Sequence, residues 1–185
     1  MNWADTPLFV YAAVQSHPAR DVVERLFREG EWGAPALVLT ECYQVLTTTY
    51  GVAHPEAVSA IERALSSPIR WTSFETDRVK DVVRLRGRHD LQTADALLLL
   101  LAREDGGTLV TQDKRLLRVA QDQGMRVRNP ITPEMERTIA QWEDRHLPPK
   151  GLPRLLRIVE RWLREHEPPV ADQFREATGG LSRLR

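Results

Sequence analysis

Four acids in this chain stand where a strand pattern hands over to a helix pattern. They are Asp5 in Ala4-Asp5-Thr6, Glu41 in Val38-Leu39-Thr40-Glu41, Asp95 in Asp95-Ala96-Leu97-Leu98, and Asp113 in Leu109-Val110-Thr111-Gln112-Asp113. One acid beside an apolar run is ordinary, because it complements the positive end of a helix dipole. Four in the same setting are expected at one edge of a parallel sheet, where ligands of open α/β sheets gather outside the carboxyl ends of the strands. Two carboxylates about 5 Å apart repel by ~3 kcal/mol at an effective dielectric of ~20. Four together therefore call for protonation or for a cation. Oxygen ligands without His or Cys partners select a hard ion, Mg2+ or Mn2+. Such an ion supplies a deprotonated water for in-line attack on phosphorus and neutralises charge on the phosphate, which is phosphodiester hydrolysis.

The elements that must position these acids follow from periodicity. Asp5 closes a short strand, and Pro7 suits the first turn of the helix after it. Residues 19–29 carry Val22, Val23, Leu26 and Phe27 at helical spacing and stop at Gly30. Ala36-Leu37-Val38-Leu39 reads as a buried strand, with Thr40 as the cap of the next helix and Glu41 in its first turn. Further helices are expected over 55–65 and 76–86, with a short strand at 69–71 between them. A basic loop, Arg86-Gly87-Arg88-His89, leads to an apolar helix over 94–104 capped by Asp90 or Thr93. A strand over 108–111, a helix over 114–123 and a last strand at 125–127 complete the pattern. Strands alternating with helices require crossovers, so the fold class is α/β: three layers, α/β/α, around a central mostly parallel sheet. From Thr132 the sequence holds three helical stretches divided by Pro148-Pro149 and Pro168-Pro169, without a strand. We therefore divide the chain into a nuclease-like domain over 1–131 and an α-helical C-terminal extension over 132–185.

Composition narrows the function classes. The chain has 185 residues, with Lys+Arg and Asp+Glu balanced at 26 each, so any polyanion must be bound by local patches rather than by bulk charge. Two such patches flank the acids: Arg86 and Arg88 before Asp95, and Lys114 and Arg115 after Asp113. These four are the candidate contacts to a nucleic-acid phosphate. The lone Cys42 excludes an internal disulfide and falls in register with Val45, Leu46 and Thr49, as a core side chain does. The five histidines show no metal-ligand spacing. The longest apolar run, residues 96–102, is too short to span a bilayer. A cytoplasmic protein without a membrane partner is the expectation.

Asp5-Thr6, Val38-Leu39-Thr40-Glu41, Asp95-Ala96-Leu97 and Thr111-Gln112-Asp113, followed by Arg115-Leu116, resemble the PIN domain in order, spacing and flanks, and most closely the VapC-type toxins. The resemblance covers residues 1 to about 131. It implies a metal-dependent endoribonuclease acting on single-stranded or looped RNA, with Asp5, Glu41, Asp95 and Asp113 as ligands of Mg2+ or Mn2+ and Thr111 as a hydroxyl at the catalytic site. It also implies a small antitoxin as partner. Many family members carry Asn or Ser two residues after the first Asp, where this chain has Pro7. A PIN-like RNA-binding or protein-interaction module without strong catalysis is the alternative reading.

The extension lies beyond the resemblance. Leu152, Leu155, Leu156, Val159, Trp162 and Leu163 fall on one helix face and Arg154, Arg157, Arg161 and Arg164 on another. The apolar face is expected to be buried, on its own domain or in a homodimer. Glu160–Arg164 and Arg161–Glu165 at i,i+4 mark the basic stripe as a solvated face.

Overall fold

A computed structural model of the chain describes residues 1–148, 152 and 154–178. Five short strands, β1 (Asn2–Ala4), β2 (Trp32–Pro35), β3 (Arg70–Thr72), β4 (Thr108–Val110) and β5 (Arg126–Arg128), form one sheet in the order β3-β2-β1-β4-β5. Every neighbouring pair is parallel, with Asn2 level with both Trp32 and Thr108. The chain winds outward from β1 to β3, crosses back, and continues through β4 and β5. The winding reverses between β1 and β4, and in such sheets a crevice opens at the carboxyl ends of the strands at that point.

Helices cover both faces. On one side lie α1 (Thr6–Ala13), α2 (Arg20–Arg28), α3 (Leu37–Val45) and α4 (His54–Leu65), enclosing Leu8, Val23, Val38 and Leu46 with Ala4, Ala34 and Val110 of the sheet. On the other lie α5 (Val79–His89), α6 (Thr93–Glu104) and α7 (Lys114–Asp122), enclosing Trp3, Leu109, Leu116 and the leucines of α6. Ala94 and residues 96–102 of α6 are all buried, which explains why this helix is apolar on every side. The expected three-layer α/β/α arrangement is what the chain adopts.

Four local expectations fail. Residues 36–39 begin α3 rather than forming a strand, and β2 lies just before them in Trp32-Gly33-Ala34-Pro35. A run of four apolar residues is compatible with a buried strand or a buried helical turn. The true strand was hidden because its residues are small: a Cβ on Gly33 would meet Met1 Sδ at 3.3 Å and Trp3 Cδ2 at 3.4 Å, so β2 must yield space to the side chain of its neighbour. Thr40 is accordingly inside the helix, its hydroxyl donating to Leu37 O, and caps nothing. The basic segment 86–89 is likewise helical rather than a loop. Gly87 stands in open space on the outer side of α5, and the helix runs on to Asp90, which takes a left-handed conformation (φ 50°). The cap of α6 is Gln92, not Asp90 or Thr93.

Past Val45 the third helix widens into a π-helical turn, Leu46–Tyr50, closed by Gly51 at φ 72°. The hydroxyls of Thr47 and Thr48 donate back to the carbonyls of Tyr43 and Gln44 at 3.0 and 2.7 Å, a pattern that bends helices. The freed carbonyls of Thr48 and Thr49 accept from Arg161 Nη2 at 3.2 and 3.3 Å. Gly51 is what lets that guanidinium in, since a Cβ there would stand 2.4 Å from Arg161 Nε.

Arg161 belongs to the extension, which comprises α8 (Pro133–His146), α9 (Arg154–His166) and α10 (Pro168–Thr178). Thr132 caps α8 through Met135 N, and Ile139 inserts into the core on the α1–α4 side. The expected apolar face of α9 is buried only in part: Leu152, just ahead of the helix, is buried, and Leu156, Val159 and Leu163 are half-buried. Leu155, Ile158 and Trp162 are 70, 50 and 54% exposed, while Glu160 is fully buried. Its Oε1 accepts from Arg164 and, at 2.8 Å, from Arg175 Nε; Arg164 also reaches Arg145 O, and Arg175 reaches the carbonyls of Asp144 and Leu147. The Glu160–Arg164 pair therefore forms as its spacing suggests, but inside the fold rather than in water. The polar face points inward because unsatisfied carbonyls at the ends of α3 and α8 need donors, and arginine supplies several from one side chain.

Replacing Glu160 by Ala would leave Arg164 and Arg175 without their shared acceptor. We expect a loss of roughly 3 kcal/mol, with amide exchange in α8–α10 accelerating before that of the sheet. Unchanged exchange across those helices would show that the Glu160 cluster does not hold them.

Candidate active site

β1 and β4 end side by side at the reversal, and the segments that leave them are tied together by hydrogen bonds. The Asp5 amide donates to Val110 O at 3.3 Å. The Asp5 carboxylate is buried, with Oδ1 accepting from Thr6 N at 2.7 Å and Oδ2 from Thr111 Oγ1 at 2.5 Å. Thr111 is itself fully buried, and its hydroxyl oxygen accepts from Asp113 N at 2.9 Å. Asp113 then caps α7, its Oδ1 accepting from Arg115 N at 2.7 Å and Leu116 N at 3.0 Å.

Helix starts bring in the other two acids. Glu41 lies in the second turn of α3, one turn deeper than expected, and its Oε2 accepts from Thr6 Oγ1 at 2.9 Å. Thr6 thus touches both Asp5, through its amide, and Glu41, through its hydroxyl. Asp95 closes a capping box at the start of α6: its Oδ2 accepts from Gln92 N at 3.3 Å while the Gln92 side chain accepts from the backbone of Asp95.

Asp5, Glu41, Asp95 and Asp113 all line one cavity of about 770 Å³, together with Thr6, Gln92 and Gln112. Thr111 lies beneath the floor. The opposite wall comes from the extension and includes Glu143 and Asp144 of α8 and Arg157 of α9. Burial pushes the Asp5 carboxyl up to about 7, with the charge of Asp95 adding to it and the Thr111 and Thr6 hydrogen bonds opposing. Asp95 is raised to about 6, first by burial and then by the charges of Glu41 and Asp113. Glu41 is raised by burial, against its hydrogen bond from Thr6. The four acids therefore share one electrostatic environment, in which negative charge is costly and a cation would relieve it.

Among the described residues, no three His, Cys, Asp or Glu side chains stand close enough together to enclose an ion by themselves. The acids are spread around the cavity instead of meeting at a point. This suits a hard cation that keeps several of its waters and reaches protein carboxylates partly through them, and the all-oxygen donor set fits the same ions.

The PIN domain model matches residues 4–122. The chain belongs to the PIN domain family. Its fold is similar to that of VapC20 from Mycobacterium tuberculosis, a sarcin-ricin loop cleaving toxin, with a TM-score of 0.56 and 18% identity over 72% of this chain and 100% of that one. It is also similar to VapBC2 from Rickettsia felis, solved bound to a DNA fragment from its promoter, with a TM-score of 0.51 and 17% identity over 69% of this chain and 97% of that one. At these identities the likeness is one of fold. No curated protein sequence matches the chain.

All four acids and Thr111 fall within the matched PIN segment. The basic candidates take other places. Arg86 donates to Leu91 O and Thr93 Oγ1 across the α5–α6 turn, Lys114 pairs with Glu136 at 3.0 Å, and Arg115 reaches His89 O and Asp90 Oδ2. Arg88 is exposed on α5, and none of the four lines the acid cavity. Cys42 is a core residue as its register indicates, with burial raising its thiol to about 12. Sequence reasoning passed over Thr6, Gln92 and the α8–α9 wall. Thr6 adjoins Asp5, and Gln92 stands three residues before Asp95, at capping-box spacing. For Glu143, Asp144 and Arg157 no local signal exists, because the tertiary docking of the extension places them.

Linkage fixes a pH dependence. Asp5 binds a proton more tightly in the folded chain than in the unfolded one, so its contribution to stability is present at low pH and lost as pH rises through about 7. His17, buried between Tyr11 and Trp142, is shifted the other way, to about 4, and its contribution is lost only as pH falls below ~6.5. We expect the urea midpoint of the cation-free protein to fall as pH rises from ~6 to about 7 and to level off above it, with that fall absent in Asp5→Asn. A slope that survives the substitution would remove Asp5 as its source.

Proposed function

We propose that the chain is a Mg2+- or Mn2+-dependent endoribonuclease hydrolysing RNA phosphodiester bonds at the Asp5–Glu41–Asp95–Asp113 cavity. The observation that carries this reading is the lining of one cavity by four carboxylates at the sheet's reversal point, within a PIN domain, with Asp5 and Asp95 raised by burial and by the charge of neighbouring acids. The bound cation would supply an activated water and charge neutralisation at the phosphate. The chain's own residues hold the acids in place: Thr111 fixes Asp5 against the Asp113 turn, Thr6 spaces Asp5 from Glu41, and Gln92 sets the Asp95 rotamer.

The fold neighbour that cleaves the sarcin-ricin loop favours a structured RNA loop as substrate, and the toxin-type neighbours favour a small antitoxin as partner. Cytoplasmic location and a homodimer belong to the same reading, with light scattering as the check on assembly. Among the described residues no helix is long and apolar enough to cross a membrane. A PIN-like module that binds RNA or protein without cutting it is the second reading, and Pro7, which lines the cavity where many family members carry Asn or Ser, favours it.

Asp95→Asn separates the two. It removes one charge at nearly constant volume, and its oxygen can still cap α6. Against a mixed RNA pool with Mn2+ or Mg2+, we expect the wild type to cleave and the variant to lose at least about two orders of magnitude, more than an outer-sphere change costs. The variant's melting temperature should be equal or higher, because a like-charge contact is relieved. Equal cleavage by both proteins would remove Asp95 from the site, and no cleavage by either would favour the non-catalytic module.

A further inference from the structure

Among the described residues Arg157 is the one basic side chain in the wall of the acid cavity, and it comes from α9, 35 residues beyond the matched PIN segment that ends at residue 122. Its neighbours in the helix are pinned. One turn on, Arg161 is seated on Thr48 O and Thr49 O over Gly51, and the next residue but two, Glu160, is buried between Arg164 and Arg175. Arg157 itself has no hydrogen bond or ion pair with any described residue, and its Nε is buried without a partner. Leaving a buried guanidinium donor unmatched is costly. The fold accepts that cost at a position anchored on the C-terminal side, facing a site where an anion would be bound.

We propose that Arg157 is a substrate-binding residue that grips a phosphate of the RNA strand next to the scissile bond, so that the extension completes the nucleic-acid site of the PIN domain. This rests on the nuclease reading above. Guanidinium suits the task, since its planar fork matches two phosphate oxygens at once and it carries its charge at every relevant pH. The carboxylates on the facing walls are negative and would repel a polyanion unaided. A fixed cation opposite them lets the strand enter with one phosphate on the arginine while the neighbouring one reaches the acids and their ion. The basic candidates expected from sequence do not line the cavity, which leaves Arg157 as its source of positive charge among the described residues.

The test compares wild type, Arg157→Gln and Arg157→Lys, all as full chains, by steady-state cleavage of a fluorescein-labelled single-stranded oligoribonucleotide in Mn2+. Binding of the same oligonucleotide is followed by anisotropy in the Asp95→Asn background across a salt series. Expected is a rise in KM and Kd of roughly tenfold for Gln with kcat little changed, partial recovery with Lys, and a salt slope shallower by about 0.7. The melting temperature of each variant reports separately on folding. Unchanged KM, Kd and slope in an active, folded Arg157→Gln would overturn the assignment while leaving the nuclease reading intact. Faster cleavage by that variant would also overturn it, making Arg157 a plug rather than a grip. A wild type that neither cuts nor binds RNA would sink both readings together.

Discussion

A carboxylate buried at the carboxyl end of the central strand, as Asp5 is, must be matched by donors or it will not stay ionised. Asp5 has two, the Thr6 amide and the Thr111 hydroxyl, and each comes from a segment that had to be in place first. Thr6 exists as a donor because α1 starts immediately after β1. Thr111 reaches Asp5 only because β1 and β4 are neighbours at the reversal of the sheet. The same two threonines then hand the constraint on, one to Glu41 and the other to Asp113. Satisfying one buried acid thus sets the positions of two others, and the residual cost shows as raised proton affinities for Asp5 and Asp95. Several of the bonds that hold the site also begin helices: Asp113 caps α7 and Asp95 completes the cap of α6.

The extension is held by a different rule. Helical ends and a π-helical turn leave backbone carbonyls without partners, and the arginines of α9 and α10 serve them: Arg161 at Thr48 and Thr49, Arg164 at Arg145, Arg175 at Asp144 and Leu147. Buried Glu160 balances the charge that this brings inside. Because those contacts require the polar face of α9 to point inward, Leu155, Ile158 and Trp162 are turned outward. The same orientation carries Arg157 to the acid cavity and makes the extension one wall of the site.

What the sequence determined by itself is the part governed by local chemistry. Strand and helix alternation settled the three-layer fold, because parallel neighbours cannot be joined without crossovers. Acids following apolar runs marked Asp5, Asp95 and Asp113, since a chain that has just left a strand or is entering a helix places its next residues at the sheet edge. Even there a limit is visible: residues 36–39 looked like a strand because flat apolar runs carry no period, while the real β2 was masked by Gly33, bare so that Trp3 can pack above it. The tertiary structure alone decided which face of α9 is buried. Helical periodicity weighs an apolar stripe by its transfer free energy, but it cannot count the carbonyls that the third helix and α8 leave open 19 to 113 residues away in sequence. Arg157 joins Asp5 in one cavity for the same reason, since the contact depends on the docking of a whole element and no spacing along the chain records it.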